Sequence, residues 1–373
     1  MLKKLLVIDP IEPLSPSKTQ ITGPQYMEAR ILLFSASQPT TVLGALGKAL
    51  DIRVKGGLDV NKLEDVDALA REVSERLSCS NPILMGPLLA SENLTDIYIP
   101  LSSTLYVSTR LLSDVLKLRH GVQLQEGEIE VLKEIGEVKP KYEAQYVDLK
   151  PCYEKPKSCI KAFSYPALIG IALERRGAIG EKVVKLGYMY RYSIALYQDV
   201  FTETLVQVKV VYLLNCERDL DALVRVGGRG RVAKLYTEKL NALSKHLASI
   251  ANPIEGLEPG AYLSVSYIPL VPKTPSVLSL KLEDFYGVEF LDRVEDVVGL
   301  LQWMQSAPPK VRAERLGLGF SESQVRRRPQ LPALPPGTLI RVRTRKGPPA
   351  TIEIIRTLWS IGYSTLYRAP IEL

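Results

Sequence analysis

Apolar residues in the first eighty positions predict one strand followed by two helices. The continuous apolar run at 5–8 ends at an Asp-Pro pair, which is typical of a buried strand. The segment 39–49 begins with proline and carries apolar residues at helical spacing, so it favours a helix with proline in its first turn. A clearer apolar stripe over 63–77 predicts a second amphipathic helix.

The middle of the chain alternates between apolar and polar residues and indicates strands. Segments 188–196 and 204–214 both alternate with a period of two. The residues 219–226 predict a short helix, which leads through a glycine-rich loop into a strand at 232–236. Residues 91–165 contain prolines and short mixed runs, which indicate a long irregular insertion.

The second half repeats this order after a Pro/Gly-rich boundary at 252–260. The predicted elements are a strand at 262–271, a helix at 294–304 with Asp292 and Glu295 as a capping box, strands at 316–320 and 339–344, a helix at 352–358 and a strand at 363–367. Both halves therefore predict a β-α-β-β-α-β unit. We expect an α+β protein with two tandem ferredoxin-like domains, 1–252 with an insertion at about 91–200, and 253–373.

The charge distribution favours a polyanionic partner. The 373 residues carry a net charge of +7, and residues 310–346 contain ten basic residues against two acidic ones. Such a local excess attracts a phosphate backbone, although a solvated basic surface would show the same pattern. No apolar run approaches the roughly 20 residues that a membrane span needs, so a soluble cytoplasmic protein with no membrane partner is expected.

The cysteines and histidines do not predict a metal, a cofactor or a catalytic site. The four cysteines lack the spacing of a zinc site, and we expect free thiols in a reducing compartment. His120 and His246 have no neighbouring pattern of nucleophile and acid. The sequence therefore predicts a protein without enzymatic activity, while a histidine base for RNA cleavage remains an alternative.

The glycine-rich loop at 226–232 has the composition of a phosphate-binding turn. Glycines allow close backbone approach, successive amides can face an anion, and arginines provide planar donors for phosphate. Gly228, Gly230 and Ala233 formally match the dinucleotide fingerprint. However, no acidic residue follows at the end of the next predicted strand, which disfavours a dinucleotide.

Two further segments offer contacts to RNA, each with a structural alternative. The helix start with Gln38, Thr40 and Thr41 can direct N–H groups at an anion, and Gly44 and Lys48 follow on the same helix. This segment is not a P-loop, because it lacks the first glycine and the Ser or Thr after lysine. The strand carrying Tyr190 and Arg191 can stack bases and bind phosphate, or can be a buried face.

Five segments in order resemble the RAMP superfamily of CRISPR proteins. They are Ile11–Leu14, Pro39–Leu46, Tyr165–Arg176, Gly227–Arg231 and Arg326–Ile340. The combination is most similar to the branch that caps the crRNA 5′ end in type III-B (Cmr) effector complexes. Arg229 occupies the position where that branch has an acid in its G-G-E-x-R loop, a change that makes phosphate binding easier.

The resemblance implies two ferredoxin-like domains that hold the crRNA 5′ handle and the nearby guide. It also implies partners, namely the large polymerase-like subunit and the backbone RAMP subunit, which cuts target RNA. Target RNA would be contacted only indirectly, with a hairpin at 177–190 between guide and target. The whole assembly would serve antiviral defence.

The leading hypothesis is thus a non-catalytic crRNA-binding subunit of a type III effector complex. The alternatives are a RAMP endoribonuclease that processes precursor crRNA, and a scaffold whose basic patches contact acidic proteins. The predicted RNA-binding residues are Gln38, Thr40, Thr41, Gly44, Lys48, Arg175, Arg176, Tyr190, Arg191, Gly227, Gly228, Arg229, Gly230, Arg231, Arg326, Arg327 and Arg328.

Overall fold

The fold is that of a computed structural model. It describes residues 3–14, 17–21, 30–33, 37–100, 105–109, 112, 144–147, 160–164, 167–176, 181–194, 196–199, 207–227, 230–240, 247–274, 281–297, 313–343 and 351–370.

The first half contains fourteen described strands and two helices. The strands are β1 (Lys4–Pro10), β2 (Ser17–Ile21), β3 (Arg30–Leu33), β4 (Cys79–Ser91), β5 (Ile97–Pro100), β6 (Leu105–Ser108), β7 (Ala144–Val147), β8 (Ile160–Ser164), β9 (Ala167–Arg176), β10 (Glu181–Ser193), β11 (Leu196–Asp199), β12 (Val208–Cys216), β13 (Asp221–Val226) and β14 (Arg231–Lys239). The helices are α1 (Pro39–Ala49) and α2 (Glu64–Leu77). Both confirm the helices expected from the apolar spacing.

The second half has shorter strands. They are β15 (Ile250–Ala251), β16 (Gly260–Ser264), β17 (Ile268–Pro269), β18 (Val271–Pro272), β19 (Phe285–Tyr286), β20 (Leu291–Val297), β21 (Glu314–Gly317), β22 (Phe320–Ser321), β23 (Arg326–Arg327), β24 (Gln330–Leu334), β25 (Thr338–Val342) and β26 (Leu366–Arg368). One α-helix, α3 (Glu353–Ser360), and two 3-10 turns, Pro253–Glu255 and Leu282–Asp284, complete this half as far as the described ranges extend.

Both halves contain the ferredoxin-like strand order, which confirms the α+β fold. In the first sheet the neighbours β14-β1-β12-β4 are antiparallel and follow the order fourth, first, third, second. In the second sheet β26-β16-β25-β20 have the same order. Among the described residues, α1 and α2 form the first crossover of the first unit, and α3 forms the second crossover of the second unit.

The helix predicted at 219–226 is wrong, because this segment is strand β13 at the edge of the first sheet. Val224 and Val226 are buried while Leu223 and Arg225 are exposed, so the segment has the period of a strand. A six-residue pattern is too short to separate helix from strand by spacing, and pairing with β14 decides it.

The helix predicted at 294–304 is also wrong where it can be compared, since 291–297 form strand β20. Leu291 pairs with Val342 and Val294 with Ile340 in the ladder with β25. Residues 298–312 lie outside the described residues. The strand predicted at 316–320 corresponds to β21, which joins β17 and β24 in a separate three-stranded sheet.

The predicted irregular insertion contains ordered strands that extend the first sheet. β5, β6, β7, β8 and β11 continue that sheet beyond β4 to make ten strands in all. β9 and β10 pair antiparallel as a separate two-stranded ribbon with an irregularity between Val184 and Met189. The predicted strand at 188–196 is largely confirmed as the second half of β10, and the inserted hairpin is longer than the segment 177–190.

One hydrophobic cluster spans both halves, and a second lies within the second half. Leu46 of α1, Val73 of α2 and Tyr212 of β12 belong to the same buried cluster as Leu358 and Tyr363 of the second half. Burial of such large side chains contributes about 1.5–3 kcal/mol each. The relative placement of the halves is therefore fixed by side-chain packing.

The expectation of free thiols is wrong for two of the four cysteines. Cys79 and Cys216 form a disulfide between neighbouring positions of β4 and β12, with Cα atoms 3.9 Å apart and a sequence separation of 137. Spacing along the chain cannot reveal such a pair, because the sheet brings the residues together. Cys152 and Cys159 lie outside the described residues.

Candidate nucleic-acid interface

The glycine-rich segment forms the turn of a β-hairpin between β13 and β14. Val226 pairs with Arg231, and the Gly230 amide donates a hydrogen bond to the Gly227 carbonyl at 3.0 Å. Gly227 and Gly230 have φ of +76° and +58°, which favours glycine at both positions. Two strands therefore present this turn, instead of the predicted helix and strand. Gly228 and Arg229 lie outside the described residues.

The segment that follows β1 fixes the base of this turn. The amides of Ile11 and Glu12 both donate to the Val232 carbonyl at 3.1 Å, and the Val232 amide donates to the Glu12 carboxylate at 3.0 Å. These bonds occupy both backbone groups of Val232, the second residue of β14. The Glu12 carboxylate also places a negative charge beside the base of the turn, which an approaching anion has to avoid.

The hairpin also presents the face of the sheet that points away from α1 and α2. In β14, Ala233 and Leu235 pack into the core beneath the helices, so Lys234 and Tyr236 lie on the opposite face. The register places Asp9 and Leu223 on either side of Lys234. This face is partly open to solvent, because Leu223 is 67% exposed.

Two lysines surround the ring of Tyr236 on this face. The Lys234 Nζ lies 5.2 Å and the Lys209 Nζ 5.8 Å from the ring centroid, within cation–π distance. Lys209 also donates to the Tyr236 hydroxyl at 3.1 Å. Burial acts to lower the pKa of Lys209, but the hydrogen bonds and charges of Tyr236 and Asp9 outweigh it and raise the pKa. Lys209 is therefore cationic at neutral pH.

Each lysine of this cluster already has a carboxylate partner. Lys234 Nζ lies 3.0 Å from Asp221, and Lys209 Nζ lies 3.5 Å from Asp9. The side chains of Lys234 and Asp221 are 44% and 67% exposed, so water screens this pair, whereas the Lys209 side chain is only 17% exposed beside Asp9 at 40%. Exposed ion pairs contribute about 0–1 kcal/mol, which a phosphate group can replace at little cost.

The fold corresponds to that of chains in two solved structures of type III-B Cmr-beta. No family model and no curated protein matches the chain. The chain shares its fold with a protein in type III-B Cmr-beta. That chain, in the cryo-EM structure bound to cognate target RNA, is 17% identical, with a TM-score of 0.57 over 99% of this chain and 97% of its own length.

A second solved structure agrees with the first. It is type III-B Cmr-beta bound to cognate target RNA and AMPPnP, in which one chain is 18% identical and has a TM-score of 0.52. The similarity covers 90% of this chain and 86% of that one. At such identities the likeness concerns the fold.

Gln38 and Thr40 lie in the contact between the two halves, where their side chains are buried. The Tyr363 hydroxyl donates to Gln38 Oε1 at 3.0 Å and lies 3.3 Å from Thr40 Oγ1. Burial raises the pKa of Tyr363 well above its ordinary value, so its hydroxyl stays protonated and can donate. The side chains of Gln38 and Thr40 are therefore not placed for RNA, while the expected contact through the N–H groups of this helix start stays a prediction.

Arg328 is likewise committed to an internal contact. Its Nε and Nη2 donate to Asp65 Oδ2 at 2.9 and 2.8 Å, and its Nη1 donates to the carbonyls of Leu318 and Phe320. The Asp65 side chain is only 2% exposed. Arg328 therefore joins the second half to α2, and its guanidinium is not placed for RNA. Arg326 and Arg327, by contrast, are exposed on β23.

The remaining predicted residues lie in separate places. Gly44 and Lys48 are exposed on α1, and Thr41 is half-buried there. Arg175 and Arg176 end β9, while Tyr190 and Arg191 lie in β10 opposite Gly170 and Ile169. The structure thus groups Gly227, Gly230 and Arg231, and places the β9–β10 residues in a different sheet.

Sequence reasoning missed Lys209, Lys234, Tyr236 and Arg225 as candidate residues. The alternation through β14 contains the signal for Lys234 and Tyr236, since both fall on the polar side of a period of two. Lys209 reaches them only because β12 and β14 flank β1 in the sheet. Its contribution could not be found from spacing.

The described part of the chain shows no arrangement for metal chemistry. Within those ranges, no three His, Cys, Asp or Glu side chains come together as a metal site. None of the helices there is both long and apolar enough to cross a bilayer. His120 and His246 lie outside the described residues, so a histidine-dependent activity stays a prediction to be tested.

Proposed function

We propose that this chain is an RNA-binding subunit of a type III CRISPR effector complex. It would hold the 5′ repeat handle of the crRNA and bridge the large polymerase-like subunit to the backbone RAMP subunit. The observation that carries the proposal is the likeness in fold, over 99% of this chain, to a chain of RNA-bound type III-B Cmr-beta. The five ordered sequence segments that resemble the handle-capping branch support it independently.

In this proposal the glycine turn binds the phosphates of the handle. Gly227 is exposed, and two glycines with positive φ leave the backbone free of side-chain bulk. A phosphate can therefore approach the amides closely. A Cβ placed on Gly230 would lie 3.3 Å from Cδ of Arg225, so this exposed arginine lies directly beside the turn. Arg229 and Arg231 would add the remaining guanidinium donors.

The face that points away from α1 and α2 would continue the contact away from the turn. Lys234 and Tyr236 follow on the same strand, and Lys209 lies beside them. A phosphate that displaces Asp9 or Asp221 keeps the lysine paired, and the ring of Tyr236 offers an apolar surface to a base. The face therefore supplies both of the contacts that single-stranded RNA uses.

Holding a handle requires binding without bond cleavage, so we propose no enzymatic activity. The principal alternative, a RAMP endoribonuclease, predicts that the chain cleaves repeat RNA. Incubation of the purified chain with repeat RNA and excess chelator separates the two. Metal-independent cleavage that is lost on His120→Ala or His246→Ala would favour the endoribonuclease.

The direct test removes the two turn arginines together. The variant R229A/R231A should weaken binding of a labelled 5′-handle RNA. It should also lower the slope of log affinity against log salt by about 1.4, because each lost phosphate contact accounts for about 0.7 with single strands. The matched control R218A/K239A removes the same charge from exposed positions at the other end of the hairpin.

The proposal predicts a large difference between these two variants. Equal loss of affinity in both would show that only net charge matters. Unchanged affinity in R229A/R231A would contradict the assignment of the turn. RNA that copurifies with the assembled complex should be short and share one 5′ end.

A further inference from the structure

A small hairpin in the second half exposes two apolar side chains. It consists of β22, the turn 322–325 and β23, and is called here the 320–327 hairpin. Phe320 is 50% exposed and Val325 is 76% exposed, the largest fraction for any large apolar side chain in the described ranges. Isolated exposed apolar residues are ordinary, but two on an eight-residue hairpin form a concentrated surface.

Besides being exposed, Val325 has a strained backbone conformation that destabilises the folded chain. Its φ is +52°, in the left-handed region where a β-branched side chain is strained. Glycine or asparagine is preferred at such a position in a turn. A residue that is both strained and exposed contributes little to the stability of the chain itself, so its role must be sought outside it.

The hairpin is held rigidly on the body of the protein. The side-chain amide of Gln324 donates to the Lys55 carbonyl at 3.1 Å and accepts from the Gly57 amide at 3.0 Å. Arg328, immediately after β23, donates to the carbonyl of Phe320 and to Asp65. The apolar side chains are therefore presented in a fixed geometry, which lowers the entropy that a partner has to remove.

The charge around the exposed pair is positive. Arg326 and Arg327 are exposed on β23, and the exposed Lys55 lies at the loop that holds Gln324. Glu322 is the single acidic residue within the hairpin. Apolar groups surrounded by cations are complementary to an apolar depression with carboxylates at its rim.

We propose that the 320–327 hairpin is a docking element for a partner protein whose surface has this complementary chemistry. A protein is favoured over RNA because Val325 cannot stack on bases and gains free energy only when apolar atoms cover it. Phe320 and the two arginines alone would fit RNA equally well. The proposal goes beyond handle binding and rests on the proposed function only in naming the particle used for its test.

The experiment uses the full chain, alone and in a type III-B particle assembled with its own large and backbone subunits. In the isolated chain, V325N should raise the melting temperature, because asparagine accepts the left-handed backbone. In the particle, the same variant should associate at least tenfold more weakly with the subunit that covers the hairpin. The control V325I keeps a β-branched apolar side chain at the same position and should leave the association unchanged.

A photo-crosslinking residue at position 325 identifies what covers the hairpin. Crosslinks to a protein segment that contains Asp or Glu support the proposal. Crosslinks to RNA, an absence of crosslinks, or unaltered association of V325N would each overturn it. A particle that keeps its protein contacts but carries no RNA refutes only the proposed function, so the two failures are distinguishable.

Discussion

Replacement of Arg328 with alanine would break the buried ion pair that joins the two halves. The wild-type guanidinium donates twice to Asp65 and twice to backbone carbonyls, and its side chain is 11% exposed while that of Asp65 is 2% exposed. The R328A variant leaves the Asp65 carboxylate buried without its counter-charge. Water cannot fully solvate the carboxylate there, so the buried, unpaired charge destabilises the folded state.

The expected loss of stability is about 3–5 kcal/mol, the usual range when one partner of a buried pair is removed. At about 2 °C per kcal/mol for a large domain, the melting temperature should fall by about 6–10 °C. The double variant D65L/R328M removes both charges and fills their volume, so it should be much closer to wild type. Thermal unfolding followed by circular dichroism measures all three proteins.

A surface pair on the same helix provides the matched control. Arg71 pairs with Asp67 one turn apart on α2, and its side chain is 72% exposed. The R71A variant should therefore cost only about 0–1 kcal/mol. If R328A melts like R71A but binds handle RNA much more weakly at a temperature where it is folded, the internal role argued for Arg328 is refuted.

Two further predictions concern local packing. Reduction of the Cys79–Cys216 disulfide, or the variant C79S/C216S, should destabilise the fold by about 2–5 kcal/mol; a thiol assay that finds both cysteines reactive in the native, unreduced protein would contradict this. In α1, G44A should stabilise by about 0.5–1 kcal/mol because Gly44 is exposed and has open space around it. G47A should lack this gain, since its Cβ would lie 2.6 Å from Leu69 Cδ1 on α2; equal unfolding midpoints in urea would refute the difference.

Local sequence patterns predicted an element correctly where the element has enough residues to show its own period. The stripes in α1 and α2 repeat over three to four turns, and the apolar run of β1 ends at a proline. The ferredoxin-like order followed from such elements, although two of the helices supporting it were assigned incorrectly. The second strand of each unit was also placed incorrectly, because it is β4 and not 188–196 in the first half, and β20 and not 316–320 in the second.

Only part of the candidate site could be predicted from the sequence. The glycine turn was found, because glycine at positive φ has a compositional signal. The lysine–tyrosine cluster was not found, because Lys209 and Tyr236 come together only across β1. Gln38 and Arg328 look like RNA contacts in isolation, and the sequence does not show that Tyr363 and Asp65 already bind them.

The sequence by itself determined the amphipathic helices, the two-fold repeat of the fold and the position of the glycine turn. Those properties depend on residues that are neighbours in the chain. The tertiary structure decided that 219–226 and 291–297 are strands, that Cys79 meets Cys216, and which arginines remain at the surface. Those outcomes depend on pairing and burial between residues far apart in sequence, where the free energy of contact outweighs weak local preference.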